Sequence, residues 1–302
     1  MSLLVVGSVA LDSVKTPFGE ENDVLGGSAT YFSVSASYFS GVNLVAVVGE
    51  DFPEEHINLL KSNPINIDGL EKKPGKTFRW KGSYNYDLNE AHTLDTQLNV
   101  FADFDPKIPE NYKNSKYVFL ANIDPDLQIK VLDQITNPKL IVCDTMNYWI
   151  EGKLDSLKRL LSKINILIIN DSETRELGKD PNVVKAAQKI LSWGPDSIIV
   201  KRGEYGSLMF SDSSIFSAPA YPLEFVFDPT GAGDSFAGGF MGYISKMDDF
   251  SEETKRKAII FGSTMASFNV EKFSLKRLQS LTWKEIEKRF RFFKRITHFE
   301  DL

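Results

Sequence analysis

One cysteine and three histidines in 302 residues leave little material for disulfide or metal chemistry. A lone cysteine cannot close an internal bridge, so nothing in the chain calls for an oxidising compartment. Cys143 stands inside the apolar run KLIVCD and reads as a small hydrophobe of a buried strand. His56, His92 and His298 have no metal-site spacing. An excess of positive charge is also lacking: 35 Lys and Arg face 41 Asp and Glu, a formal net charge of −6. That balance argues against a nucleic-acid binder held by phosphate contacts. No apolar run approaches the ~18 residues of a membrane span, and the start MSLLVVGSVALD has no basic region before its apolar stretch. The expectation is a soluble, cytoplasmic protein with no membrane partner. The one basic run, KRFRFFKR at 288–295, follows Ile286, Phe290 and Phe293 at i, i+4, i+7, which predicts an amphipathic terminal helix with a solvated basic face.

What is present is ordinary globular material, 42% hydrophobic and 25% charged. Short Val- and Ile-rich runs recur at 3–7, 44–49, 117–121, 140–144, 166–170 and 197–201. Such runs are apolar on both sides, as parallel strands covered by helices must be. Helical patterns lie between and after them at 27–40, 54–63, 125–136, 153–163, 172–178, 182–193, 233–246, 251–269 and 282–296. The alternation predicts an α/β fold, a doubly wound and mostly parallel sheet flanked by helices, in one domain spanning 1–302. Residues 74–104 break the pattern with aromatic and β-branched residues in polar alternation. They predict a small β-strand lid, joined by the turn near 12–25. The turns after the apolar runs, among them GSVALD, GED, DTMN, NDSE and KRGEYGS, are polar or glycine-bearing. They fall where ligands bind in such sheets, beyond the carboxyl ends of the strands.

The stretch DPTGAGDSFAGGF at 228–240 sets glycines and alanines around Asp234 at the mouth of a helix. The chain has no GxxxxGK followed by Ser or Thr, and the GxGxxG dinucleotide pattern fails at Phe236. No strand lysine followed by HRD and DFG marks a protein kinase. A glycine turn opening a helix still aims free N–H groups and the positive end of the helix dipole at one point, which suits a phosphoryl group in transfer. A carboxylate at that point repels phosphate and is better explained as a general base.

DPTGAGDSFAGGFM resembles the C-terminal signature of the PfkB, or ribokinase-like, carbohydrate kinases. Other pieces follow in that family's order along almost the whole chain. GSVALD resembles the turn whose aspartate, Asp12, holds substrate hydroxyls. LGGSATYFSVSASYFSG resembles the N-terminal glycine signature, with Gly26 and Gly27 against the substrate. NDSE matches the NxxE motif, so the resemblance implies that Asn170 and Glu173 organise Mg²⁺, Glu173 through water. VKRGEYGS is similar to the segment lining the nucleotide, with Lys201, Gly203 and Gly206 near ATP. FGSTMASFNVEKFS lies where the family closes over adenine. Two positions depart on the sugar side: Tyr31 replaces an asparagine, and Pro53 a common glycine.

The resemblance implies in-line attack of a hydroxymethyl group on the γ-phosphate of ATP. Asp234 takes the proton, and the amides of Gly231, Ala232 and Gly233 form an anion hole. A sugar or related polyol is the first acceptor expected, with a nucleoside as the alternative and a non-catalytic sugar sensor a further one. The aromatics Tyr31, Phe78, Trp80, Tyr84 and Tyr86 could stack a base or simply pack the lid. Arg79 reads as a solvated strand residue before it reads as a substrate contact. Loops beside the anion hole can host a monovalent cation such as K⁺. The assembly is a monomer or a homodimer through the lid.

Overall fold

The computed structural model describes residues 3–212 and 214–298. Its strands are β1 (Leu3–Val6), β2 (Ala10–Thr16), β3 (Gly19–Gly26), β4 (Val42–Gly49), β5 (Ile65–Lys73), β6 (Phe78–Tyr84), β7 (Ala91–Gln97), β8 (Tyr117–Leu120), β9 (Leu140–Asp144), β10 (Ile166–Asn170), β11 (Ser197–Lys201), β12 (Ser207–Ser211) and β13 (Ile215–Ala218). Its helices are α1 (Ser28–Ser37), α2 (Glu54–Ser62), α3 (Pro125–Leu132), α4 (Asn147–Gly152), α5 (Leu154–Leu161), α6 (Asp171–Gly178), α7 (Val183–Leu191), α8 (Ala232–Met247), α9 (Glu252–Asn269) and α10 (Trp283–Thr297).

The large sheet runs β13-β12-β11-β10-β9-β8-β1-β4-β5. Every neighbouring pair from β11 to β5 is parallel, and β12 and β13 add antiparallel strands at one edge. Each central strand is apolar on both faces because each face has its own core. In β10, Ile166 and Ile168 pack toward α1, α8 and α9, while Leu167 and Ile169 pack toward α3, α5, α6 and α7. Cys143 is buried in β9, as its apolar surroundings predict. Ile286 and Phe293 of α10 are buried, and the Phe290 ring stacks on Phe261 at 4.1 Å. The small residues after Asp234 serve packing: a Cβ at Gly238 would stand 2.4 Å from the Phe32 carbonyl oxygen, so α8 and α1 meet backbone to backbone.

A second sheet, ordered β3-β2-β6-β7, stands apart from the first. Half of it comes from 10–26 and not from 74–104; β3, sequence GEENDVLG, carries no apolar alternation that would announce a strand. Asp12 therefore lies in a strand, not in a turn, and residues 99–103 form a short 3₁₀ helix beyond the sheet. Strands β2 and β6 are parallel, with Asp12 beside Trp80.

Candidate active site

Three neighbouring strands end together at the carboxyl edge of the large sheet. Asp144 closes β9, Asn170 closes β10 and Lys201 closes β11. The Lys201 ammonium meets Asp144 Oδ2 at 3.3 Å. Asn170 begins α6 as a reciprocal cap: its Oδ1 accepts from the Glu173 amide at 2.8 Å, and Glu173 Oε2 accepts from the Asn170 amide at 3.0 Å. The NxxE spacing is thus first of all a capping box, which leaves Glu173 Oε1 available.

Above these ends runs the loop 228–234. Asp228 is 1% exposed and holds it from within, Oδ1 accepting from the Thr230 amide at 2.9 Å and Oδ2 from the Ser274 amide at 3.0 Å. Asn269 donates to the Thr230 carbonyl at 2.7 Å. Gly231 then turns left-handed at φ 72° and starts α8 without a side-chain cap. The Ala232 amide donates to Pro229 O at 3.1 Å, so it is engaged in the turn. The amides of Gly231 and Gly233 have no acceptor among the described residues. The expected three-amide cradle is therefore two free N–H groups and a helix dipole.

The second sheet closes the other side. Registered neighbours share a face, so Asp12, Trp80 and, two positions further along β6, Gly82 and then Tyr84 look the same way. Tyr84 reaches the loop, where its hydroxyl meets Thr230 Oγ1 at 3.3 Å. Tyr31 lies under the loop. A Cβ on Gly231 would fall 2.3 Å from its ring, and its buried hydroxyl has no partner.

Burial with few cations shapes the electrostatics. Burial drives the Asp234 carboxyl up to about 7, with Asp144 pushing the same way and Lys201 opposing. Asp12 also rises to about 7 through burial, opposed by the Gly27 amide and reinforced by Asp228 and Asp234. Glu173 reaches about 7 by burial, against the pull of Lys201. Burial disfavours charge on Lys201, but Asp144, Glu173 and Asp234 together outweigh it and keep the lysine protonated.

Asp12, Gly26, Gly27, Asn170, Glu173, Lys201 and the 231–234 segment thus face one cleft. Gly203 and Gly206 form the turn after β11, closed by the Arg202 amide on Gly206 O at 2.8 Å. Arg79 is a partly exposed strand residue, as expected, but a paired one: it meets Asp51 at 2.7 Å and Asp23 at 3.2 Å. Sequence reasoning left Asp144 and Asp228 without roles, hinted at only by the polar turn DTMN and the motif's own first residue, and it read Tyr84 as a base-stacking or lid-packing aromatic without foreseeing its contact with the loop. No group of three or more Asp, Glu, His or Cys is placed to hold a metal among the described residues. A single available carboxylate oxygen, on Glu173, suits an ion that keeps its water and is held mainly by phosphates, as Mg²⁺ is.

Comparison with known proteins identifies the family. A model of the pfkB family of carbohydrate kinases matches residues 8–280, and the chain belongs to that family. It is a phosphotransferase with an alcohol acceptor, on a ribokinase-like fold. A cytidine kinase of Thermococcus kodakarensis is 31% identical over 251 residues, 82% of this chain and 89% of that one. The nucleoside kinase of Methanocaldococcus jannaschii superposes with a TM-score of 0.76 at 21% identity, over 96% of this chain and 98% of the other. Arabidopsis thaliana ribokinase, solved with ribose and ATP, gives 0.75 at 19% identity over 96% and 98%. No helix among the described residues is long and apolar enough to cross a membrane.

Proposed function

We propose that this kinase transfers the γ-phosphoryl group of ATP to a hydroxymethyl group of a nucleoside, in preference to a free sugar. One observation carries the choice: Asp12 of β2 and Trp80 of β6 are registered neighbours on one face of the second sheet, the carboxylate leaning over Gly26 of β3 and the indole leaning toward β7. The indole lies over Gly82, where a Cβ would fall 2.2 Å from the ring, and its Nε1 donates to Thr93 Oγ1 at 3.2 Å. Held against the sheet on one side, the indole offers its other side to a base while Asp12 accepts ribose hydroxyls. A free sugar would use only the carboxylate. The likeness to the cytidine kinase supports the same class.

In this reading Asp12, with Gly26 and Gly27, orients the acceptor, and Asp234 takes the proton of the attacking hydroxyl. A carboxylate with a pKa near 7 is well matched to that task at neutral pH. The Gly231 and Gly233 amides, the α8 dipole and Lys201 stabilise charge on the moving phosphoryl group. Glu173, fixed by its cap with Asn170, would hold Mg²⁺ through its water with Oε1. Bound Mg²⁺ supplies charge neutralisation at the ATP phosphates. Gly203 and Gly206 line the nucleotide.

The test is ADP release with Mg-ATP over cytidine, uridine, adenosine, inosine, ribose, fructose and inositol, with Asp234→Asn as the control. Turnover on nucleosides, lost in the variant, is the expected result. Turnover confined to free sugars or polyols would overturn the nucleoside assignment.

A further inference from the structure

We propose that Asp144 is a positioning residue that holds the Lys201 ammonium at the first turn of α8, where the lysine meets the transferred phosphoryl group. The inference rests on the kinase reading above and adds to it a residue outside the motifs that identify the family.

Strand register sets the geometry. Asp144 stands opposite Ile168, and Asn170 opposite Lys201, so β9 ends two residues short of β10 and β11 at the same edge. Val142 and Ile199, two residues before Asp144 and Lys201, pack in the core beneath α8; by alternation Asp144 and Lys201 point the same way. The lysine stem starts on β11, crosses the end of β10 and reaches the carboxylate on β9.

Without that partner the ammonium has two other carboxylates to choose between, since Glu173 and Asp234 both act on it. Pairing with Asp234 would occupy the proposed base, and pairing with Glu173 would take the carboxylate meant for the metal's water. Asp144 is built to prevent both. It is 5% exposed, and its Oδ1 is fixed by the Thr145 amide at 2.8 Å, which leaves Oδ2 for the lysine. Its carbonyl accepts from Gln128 Nε2 at 3.1 Å, and the fully buried Gln128 also ties Leu120 and Ala121 at the end of β8. The position reached is the mouth of the helix: a Cβ on Gly233 would stand 2.8 Å from Lys201 Nζ. A full positive charge is thereby fixed beside the two free amides, in a cleft where it needs no rearrangement during transfer.

The experiment measures calorimetric affinity for Mg-ADP and for the Mg complex of the β,γ-imido analogue of ATP, which carries the third phosphate. Neither measurement depends on knowing the acceptor. Asp144→Asn is expected to weaken the analogue about 10-fold relative to ADP, the equivalent of roughly 1.4 kcal/mol. Lys201→Met is expected to do at least the same, and the double variant to be no weaker than Lys201→Met alone, because Asp144 acts through the lysine. An unchanged analogue-to-ADP ratio in Asp144→Asn, or losses that multiply in the double variant, would overturn the assignment. Should Asp144→Asn fail to fold, the charge-neutral double variant is compared with Lys201→Met: equal affinities support the proposal and a further tenfold loss defeats it. Failure of the unaltered chain to bind either nucleotide would remove the kinase reading itself, and this inference with it.

Discussion

The carboxylate of Asp12 fills the space that a side chain at Gly26 would need: a Cβ there would stand 1.9 Å from Asp12 Oδ2. The two residues lie on the paired strands β2 and β3, and the glycine is what lets the carboxylate turn into the cleft. Gly26→Ala should therefore act as Asp12→Ala does. Both should raise the acceptor KM by about 10- to 100-fold, the worth of a hydrogen bond to a charged group, and leave the KM for ATP within about twofold. A Gly26→Ala enzyme with ordinary acceptor affinity would show that Asp12 does not hold the acceptor.

The pH dependence follows from two carboxyls displaced to about 7, Asp12 and Asp234. Both must be ionised to work, so kcat/KM should fall as pH drops through 7, with a slope steeper than one proton well below it. A flat profile from about pH 5 to 8 would contradict the assignment of Asp234 as base.

Stability should run the other way. The Asp234 carboxyl is raised from 3.8 to about 7, so the folded protein binds a proton there that the unfolded chain has released. That proton favours the fold at low pH, and the advantage is lost as pH rises through 7. Asp234→Asn should lose about 10²–10⁴-fold in turnover. It should also raise Tm at about pH 8, by about 2–4 °C for each roughly 1 kcal/mol relieved, and raise it less at about pH 5. Scanning calorimetry at the two pH values decides; an equal gain at both would mean that charge on Asp234 is not the source.

Tyr31 occupies the asparagine position of the family signature with a buried hydroxyl that has no partner and faces Asp228, Asp12 and Asp234. Tyr31→Phe removes a group whose unsatisfied burial costs about 1–3 kcal/mol, so the unliganded protein should melt higher. The acceptor KM should rise several-fold, because an entering hydroxyl is the partner the phenol lacks. A lower Tm in the variant would show that the hydroxyl is already satisfied in the resting protein.

Arg79 ties β6 to Asp51 in the turn after β4 and to Asp23 in β3, while Asp51 also accepts from the Thr77 amide and hydroxyl at 2.7 Å. These partly exposed pairs contribute about 0–1 kcal/mol, so Arg79→Ala should change Tm little. Its effect should fall on kcat and acceptor KM together, as it does when the anchorage of a closing element is loosened. Steady-state kinetics on a nucleoside acceptor, set against nucleotide affinity, would refute this if only ATP binding changed.

Apart from the short α4, the helices lie within a few residues of where apolar spacing predicts them, and the central strands coincide with the Val- and Ile-rich runs, because burial on both faces writes itself into composition. Strands with one exposed face do not. β3 is a run of acids and β5 reads INIDGLEKK; neither propensity nor periodicity marks them, whereas β7, exposed along its whole length, falls in the segment whose polar alternation predicts strands. The site divides the same way. DPTGAGD, NDSE and GG could be recognised because each is contiguous and its geometry is made within one turn.

Sequence by itself determined the glycine turn that opens α8, the Asn170–Glu173 pair and the alternation of strands with helices, all of which depend on residues close together in the chain. Tertiary structure alone decided that Lys201 meets Asp144 across 57 residues, that Tyr31 underlies Gly231, and that Trp80 stands beside Asp12. Those relations depend on strand register and helix packing, and a shift of one residue in register would turn the same side chains to the opposite face.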